Sequence, residues 1–298
     1  MIEIKGEYNT ALCYTGQMEE KAGGQIRAVC DRPEFAGCKI RIMPDVHAGK
    51  GCTIGITMTI RDKIAPGMVG VDIGCGMETV ELCQRQIDFD RLDALIRREI
   101  PFGREIRKTP HPLGQTIDLN RLCCAKSVHI DRALCSIGTL GGGNHFIEVD
   151  RAEDGRLFLV IHSGSRHLGT EVAGFYQEEG RRALWGGAGY QLEETIRRLK
   201  EEGHPEKIQK TLLALKKDRE TDLPRDLAYV EGRLLEEYLH DMKLTQRFAA
   251  LNRQAMARGR PPWLRMMAGV ASLPAETTSP IRPRMPEVWM PVILPCSM

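Results

Sequence analysis

Apolar positions along this 298-residue chain change their spacing several times, and each change marks an element. The opening MIEIKGEYNT alternates apolar and polar residues, the period of a half-buried strand. Short apolar runs at residues 39–43, 53–60 and 68–73 predict further strands punctuated by glycines. Across residues 89–99 the apolar positions recur at steps of three and four, which predicts a helix. Residues 136–162 return to a strand pattern, residues 171–184 and 191–215 take helical periodicity with dense charge, and a last helix is expected over 228–257. The sum is an α+β fold, mixed β-sheets with flanking helices, without internal repeats.

The pattern stops after residue 257. Positions 258–298 hold eight of the sixteen prolines and five of the thirteen methionines, and no Lys, Asp or His. Proline at that density blocks both helix continuation and internal sheet pairing, so an irregular segment is expected there. The expected organisation is one domain over 1–257 and a proline-rich tail over 258–298.

Composition then narrows the class. A hydrophobic content of 42% supports a buried core. The longest apolar runs, such as residues 157–161, fall far short of the roughly 20 residues that span a bilayer, and the N-terminus lacks the basic and apolar regions of a signal peptide. No membrane segment and a cytoplasmic location are therefore expected. The ten cysteines include no C-x-x-C pair, so reduced thiols are the default. A formal net charge of +2 without a long basic block leaves any nucleic-acid contact to local patches.

Two segments carry metal-ligating residue types. Residues 69–77, VGVDIGCGM, read as an apolar strand leading into Asp72 and Cys75, with glycines on both sides of the cysteine. Residues 138–149, GTLGGGNHFIEV, and 157–164, LFLVIHSG, read as a hairpin whose Asp-Gly turn lies between them. A four-residue loop over 152–155 pairs Arg151 with Arg156 and sets His145 directly opposite His162, where Cβ atoms would be about 5 Å apart. Two imidazoles with a thiolate, and a carboxylate on the rim, suit zinc or another borderline ion by ligand softness.

The segments MPDVHAGKGCTIG at 43–55, VGVDIGCGM at 69–77, GTLGGGNHFIEV at 138–149 and HSGSRHLG at 162–169 together resemble the RtcB family of RNA ligases, in the family's order and approximate spacing. The likeness extends through LNRQAMA at 251–257. It implies an RtcB-like fold and the joining of RNA 3′-phosphate or 2′,3′-cyclic phosphate ends to 5′-hydroxyl ends, with GTP and Mn²⁺. It also implies that Cys75 bridges two metal ions, that His145 and His162 bind one of them and Asp72 the other, and that Asn144, Phe146 and Glu148 contact the guanylate. Arg166 is matched by its chemistry to phosphate oxygens, and Asp45 and His47 to orienting the ligands.

One departure shapes the expectation. The family carries a further metal-binding histidine and a GMP-accepting histidine near its C-terminus, whereas no histidine here follows His240. His240 lies in EYLHDMKL, a helical pattern that reads as a solvated helix position. The expectation is a C-terminally incomplete member with one buildable metal site, no GMP acceptor, and exposed apolar surface that favours association. Two alternatives stand beside ligation: a non-catalytic metal- or RNA-binding remnant, and a metal-dependent phosphoesterase.

Overall fold

The computed structural model describes residues 1–49, 51–82, 86–185, 189–208, 211 and 223–257. The fold is α+β, as the periodicity predicts, and the described residues form two compact units. No described helix is long and apolar enough to cross a membrane. The proline-rich segment and most of residues 209–222 lie outside the described residues, as does the distal part of the helix expected over 191–215.

The first unit comprises residues 1–70 and 173–239. Its four-stranded sheet runs β1 (Ile2–Lys5), β2 (Thr10–Cys13), β3 (Ile40–His47) and β4 (Ile54–Met58), with β2 and β3 parallel and the outer pairs antiparallel. Helix α1 (Glu20–Cys30) supplies the crossover that a parallel pair requires. Its Ile26, Val29 and Cys30 pack with Ala11, Cys13, Ile40, Ile42 and Ile56 in one apolar core. A two-stranded ladder joins β5 (Lys63–Ile64) to a later strand, Val230–Glu231. That pairing explains why the last helix starts at Gly232 rather than at residue 228: residues 230 and 231 are held extended.

Residues 68–73 do not form the expected strand. Pro66 opens a short helix, α2 (Pro66–Val69), because a proline's fixed φ suits a first helical position, and Gly70 ends it at φ 92°. Asp72 and Cys75 therefore sit in a loop between that helix and β6 (Gly76–Leu82), not at the end of a strand.

The second unit comprises residues 71–172 and 240–257 of those described. Its antiparallel sheet runs β6, β8 (Leu157–Ser163), β7 (Phe146–Arg151). One face, carrying Val80, Leu82, Ile147, Val149, Leu157, Leu159 and Ile161, packs on Leu92 and Leu95 of α3 (Phe89–Glu99) and on Met256. Asp88 caps α3 by accepting the Arg91 N–H at 3.0 Å. Helix α4 (Ile130–Ser136) precedes the GTLGGGNHF segment. Helix α5 (Arg166–Trp185) starts five residues before the helix expected from residue 171. Of the remaining helices, α6 (Gly189–Glu201) falls in the first unit, and α7 (Gly232–Ala257) gives residues 232–239 to the first and 240–257 to the second.

The hairpin is shifted by one residue from the expected register. Phe146, not His145, faces His162, and Arg151 faces Leu157. The loop holds five residues, 152–156: the Ala152 N–H donates to the Arg156 carbonyl at 2.9 Å and the Gly155 N–H to the Ala152 carbonyl at 2.9 Å. Gly155 sits at φ 80°, a left-handed position that adds a bulge residue to the turn, and Asp154 accepts the Arg156 N–H at 3.1 Å. Because side chains alternate faces, a one-residue slip changes the partner of every residue in the ladder.

Candidate metal centre

Despite that slip, the two histidines meet. His162 projects from the sheet face opposite the apolar core, and its ring contacts Phe146 edge-on at 5.3 Å between centroids. His145 lies just before β7, outside the ladder, with its ring centroid 5.5 Å from that of His162. Cys75 Sγ is 3.1 Å from His162 Nε2 and 3.6 Å from His145 Nε2. His145 Nε2 is in turn 3.0 Å from Asp72 Oδ2. The ligand atoms of Asp72, Cys75 and His145 all lie within 4.8 Å of one another. All four expected ligands are thus brought together within the second unit.

The surroundings orient these atoms. The His145 Nδ1 lies 2.9 Å from the Leu140 carbonyl, to which only an N–H can donate, so Nε2 is the nitrogen turned toward Cys75 and Asp72. An imidazole with its proton on Nδ1 presents a lone pair to a carboxylate oxygen, an arrangement that calls for a shared positive charge. A second proton or a divalent cation supplies it. Asp72 is held by the Ser165 N–H at 2.9 Å and the Ser165 hydroxyl at 3.2 Å, both on Oδ1. Burial alone would raise the Asp72 pKa, but the hydrogen bond and charge of His145, the Cys75 contact and the Ser165 N–H together hold it below the ordinary carboxylate range. The carboxylate is therefore ionised at neutral pH. One carboxylate, one thiol and two imidazoles fit a borderline divalent ion.

A cavity of about 370 Å³ opens beside the cluster. Asp72, His145, Arg104, Arg132, Arg166 and His167 are among its lining residues. Arg166 adopts φ 57° at the start of α5, an uncommon conformation for a side-chain-bearing residue, and donates to Thr139 Oγ1 at 3.1 Å and to the Gly103 carbonyl at 3.0 Å. Burial lowers its pKa and the Asp72 charge opposes that shift, so it remains a cation. Gly141 makes this approach possible. A Cβ there would lie 1.8 Å from Arg166 Nη1 and 2.7 Å from His145 Nδ1, and the φ of 94° also disfavours a side chain.

The remaining expected residues are placed as follows. Asn144 and Glu148 are exposed, and Phe146 is half-buried against His162. Asp45 and His47 belong to the first unit, on β3, where the His47 Nδ1 is 2.9 Å from the Asp45 carbonyl.

Sequence reasoning missed the residues that hold the motifs in place. Asn252 is fully buried, and its Oδ1 accepts the N–H groups of Gly138 and Thr139 at 2.8 and 3.1 Å. Its Nδ2 donates to Ser163 Oγ and the Gly164 carbonyl, both at 3.1 Å. Arg253 Nη1 donates to the carbonyls of Gly74 at 2.7 Å and Ser163 at 2.9 Å. Two adjacent residues of α7 thus tie together the loop bearing Cys75, the end of the strand bearing His162 and the segment leading to His145. The only signal was an adjacent polar pair, Asn252 and Arg253, inside LNRQAMA, which periodicity assigns to a helix without saying what it faces.

The second unit thus sets a thiol, two imidazoles and a carboxylate at the edge of an arginine-lined cavity. The family model for tRNA-splicing ligase RtcB matches residues 25–123 and 118–273, and the chain belongs to the RtcB family. It is 30% identical over 239 residues to RNA-splicing ligase RtcB of Escherichia coli K12, and equally so to RNA-splicing ligase RtcB1 of another Escherichia coli strain; each alignment covers 73% of this chain and 51% of the relative. It is 31% identical over 185 residues to RNA-splicing ligase RtcB of Mycobacterium tuberculosis, covering 44% of this chain and 43% of that protein. The chain spans about half the length of the curated relatives it matches.

Proposed function

We propose that this chain carries the metal- and phosphate-binding part of an RNA ligase that joins RNA 3′-phosphate or 2′,3′-cyclic phosphate ends to 5′-hydroxyl ends, using Mn²⁺ and GTP. The observation that carries the reading is the convergence of Asp72, Cys75, His145 and His162 beside a cavity lined by Arg166. Family membership supplies the substrate class. A divalent ion bound by these ligands supplies Lewis-acid stabilisation of charge on phosphoryl oxygens.

The protein's own groups do the rest. Asp72, kept ionised by His145 with help from Cys75 and Ser165, provides the negative charge that draws a cation to the rim, and Cys75 offers a sulfur beside it. Arg166, fixed by Thr139 and Gly103, presents its guanidinium to a terminal phosphate, with Arg104 and Arg132 lining the same cavity. Asn144, Phe146 and Glu148 are proposed to meet the guanylate. GTP would supply the guanylyl group that makes a 3′-phosphate an electrophile for the 5′-hydroxyl, with loss of pyrophosphate, although this chain has no histidine after His240 to accept GMP.

Binding of labelled RNA with a 3′-phosphate, with and without Mn²⁺, tests the reading. The expected result is metal-dependent binding that is at least tenfold tighter than to the same RNA with a 3′-hydroxyl and is lost in Arg166→Ala. Equal binding of the two RNAs under all conditions overturns it. Mass spectrometry after incubation with GTP and Mn²⁺ reads the covalent step separately, as a GMP adduct. The phosphoesterase alternative rests on the same cavity, since a metal ion beside an arginine also suits attack by water; it is distinguished by release of inorganic phosphate from the 3′-end.

A further inference from the structure

A second cluster lies in the same unit, on residues the ligase reading does not use. Cys123, His240 and Asp241 bring one thiol, one imidazole nitrogen and one carboxylate oxygen within 4.8 Å of one another. His240 Nδ1 is 3.8 Å from Cys123 Sγ and 3.0 Å from Asp241 Oδ1. Asp241 is fully buried, and its two oxygens accept the N–H groups of Cys123 at 2.8 Å and Cys124 at 3.0 Å. Cys123 is exposed and the His240 side chain is 45% exposed.

The arrangement separates two kinds of chemistry. A thiol, base and carboxylate acting in relay use the two ring nitrogens of the histidine in series, one for each neighbour. Here a single nitrogen, Nδ1, faces both the sulfur and the carboxylate, so the three atoms surround one point instead of forming a line. With Zn–S about 2.3 Å and Zn–N and Zn–O about 2.0 Å, the observed separations correspond to angles of roughly 120° and roughly 100° at a shared ion, within reach of a tetrahedron. The thiol makes the set softer than an oxygen site, which selects a zinc-like ion over Mn²⁺ or Mg²⁺.

We propose that Cys123, His240 and Asp241 form a second metal site, specific for Zn²⁺ or a similar borderline ion, with its remaining coordination position open to solvent. Binding displaces the thiol proton of Cys123 to solvent, and Nδ1 of His240 coordinates while Nε2 carries the ring proton. Asp241 keeps its backbone bonds, so it enters as an already positioned ligand. The ion clips the turn at residues 122–125 to the helix α7 that also carries Asn252 and Arg253. Its expected role is to stabilise that support from a surface distinct from the Cys75 cluster.

The test is a zinc titration of the chelator-stripped full chain by calorimetry, alongside Cys123→Ser and His240→Ala. Both changes are at exposed side chains outside the Cys75 cluster and leave the backbone bonds of Asp241 intact. Wild type should bind one equivalent more than either variant, whatever the Cys75 cluster itself takes up. A second readout is alkylation of Cys123 by iodoacetamide, followed by peptide mass spectrometry. Zinc should slow it at least tenfold in wild type and leave it unchanged in His240→Ala. Equal zinc uptake by all three proteins, or a Cys123 alkylation rate unaffected by zinc in wild type, overturns the site.

Discussion

Cys75 of the second unit stands in surroundings unlike those of the buried cysteines of the first. In the first unit Cys13, Cys30 and Cys52 are core residues, packed among Ile26, Phe35, Ile40 and Ile56, and burial pushes their thiol pKa values up; that of Cys52 rises to about 12, against a smaller lowering by the Thr53 backbone N–H. In the second unit Cys75 is just as buried, at 1% exposure, yet its sulfur contacts two imidazole nitrogens. Burial is shared, and only the neighbours differ. A buried cysteine surrounded by carbon is a small hydrophobe, whereas one facing imidazoles and a carboxylate is placed where it could serve as a ligand. Cysteine count therefore says little about chemistry in this chain, and partner geometry says nearly everything.

The largest test of that contrast is a matched pair of substitutions. Cys75→Ser should weaken Mn²⁺ or Zn²⁺ binding at the centre by at least about 100-fold, the scale on which loss of metal-site interactions acts, while Cys52→Ala should leave it unchanged. Calorimetric titration of both variants checks this, and equal losses would break the contrast. The next effect concerns the support. Asn252→Ala leaves the Gly138 and Thr139 N–H groups without their acceptor in a buried setting, and the expected loss is about 3 kcal/mol of stability in denaturant unfolding. A loss below about 1 kcal/mol would show that the motif loops hold themselves.

A smaller effect is the alkaline response of Cys52. Its folded pKa is raised from the ordinary value of 9.0 to about 12, so the folded state keeps a proton that the unfolded state gives up. The stabilisation is complete below pH 9 and is lost as pH rises from there toward 12. Cys52→Ala should flatten the alkaline limb of the stability profile relative to wild type, measured by urea unfolding across that range. The smallest effect is at the surface of the same unit: Arg182 pairs with Glu178 and Glu179, but its side chain is 56% exposed. Arg182→Ala should change stability by less than about 0.5 kcal/mol.

Much of the second unit was legible in advance, and the reasons are local. Leu157, Leu159 and Ile161 fall in an expected strand because residues 157–161 form a short continuous apolar run, whereas the strand Gly76–Leu82 that pairs with it was not among those expected. Helix α3 was legible from its apolar spacing, and its observed bounds, Phe89–Glu99, coincide with the expected range. The misreadings are also local in origin. Residues 68–73 look apolar enough for a strand, but Pro66 and Gly70 set the backbone before hydrophobicity can act. The hairpin slip came from Gly155, whose left-handed conformation inserts one residue that an Asp-Gly signal does not count.

The sequence by itself determined the α+β class, the family, and which residues have metal-ligand chemistry: Asp72, Cys75, His145 and His162 were all identifiable from residue type and motif. Those properties are encoded in short stretches, through periodicity, glycine placement and the donor atoms of individual side chains. Only the tertiary structure decided that His145 meets Cys75 from outside the ladder and holds Asp72 in its charged form, and that Asn252 and Arg253 bind the motif loops together. It also brought Cys123 against His240, separated by 117 positions. The reason is distance along the chain: an interaction between residues a hundred positions apart leaves no periodic trace, and it exists only once packing has chosen which surfaces meet.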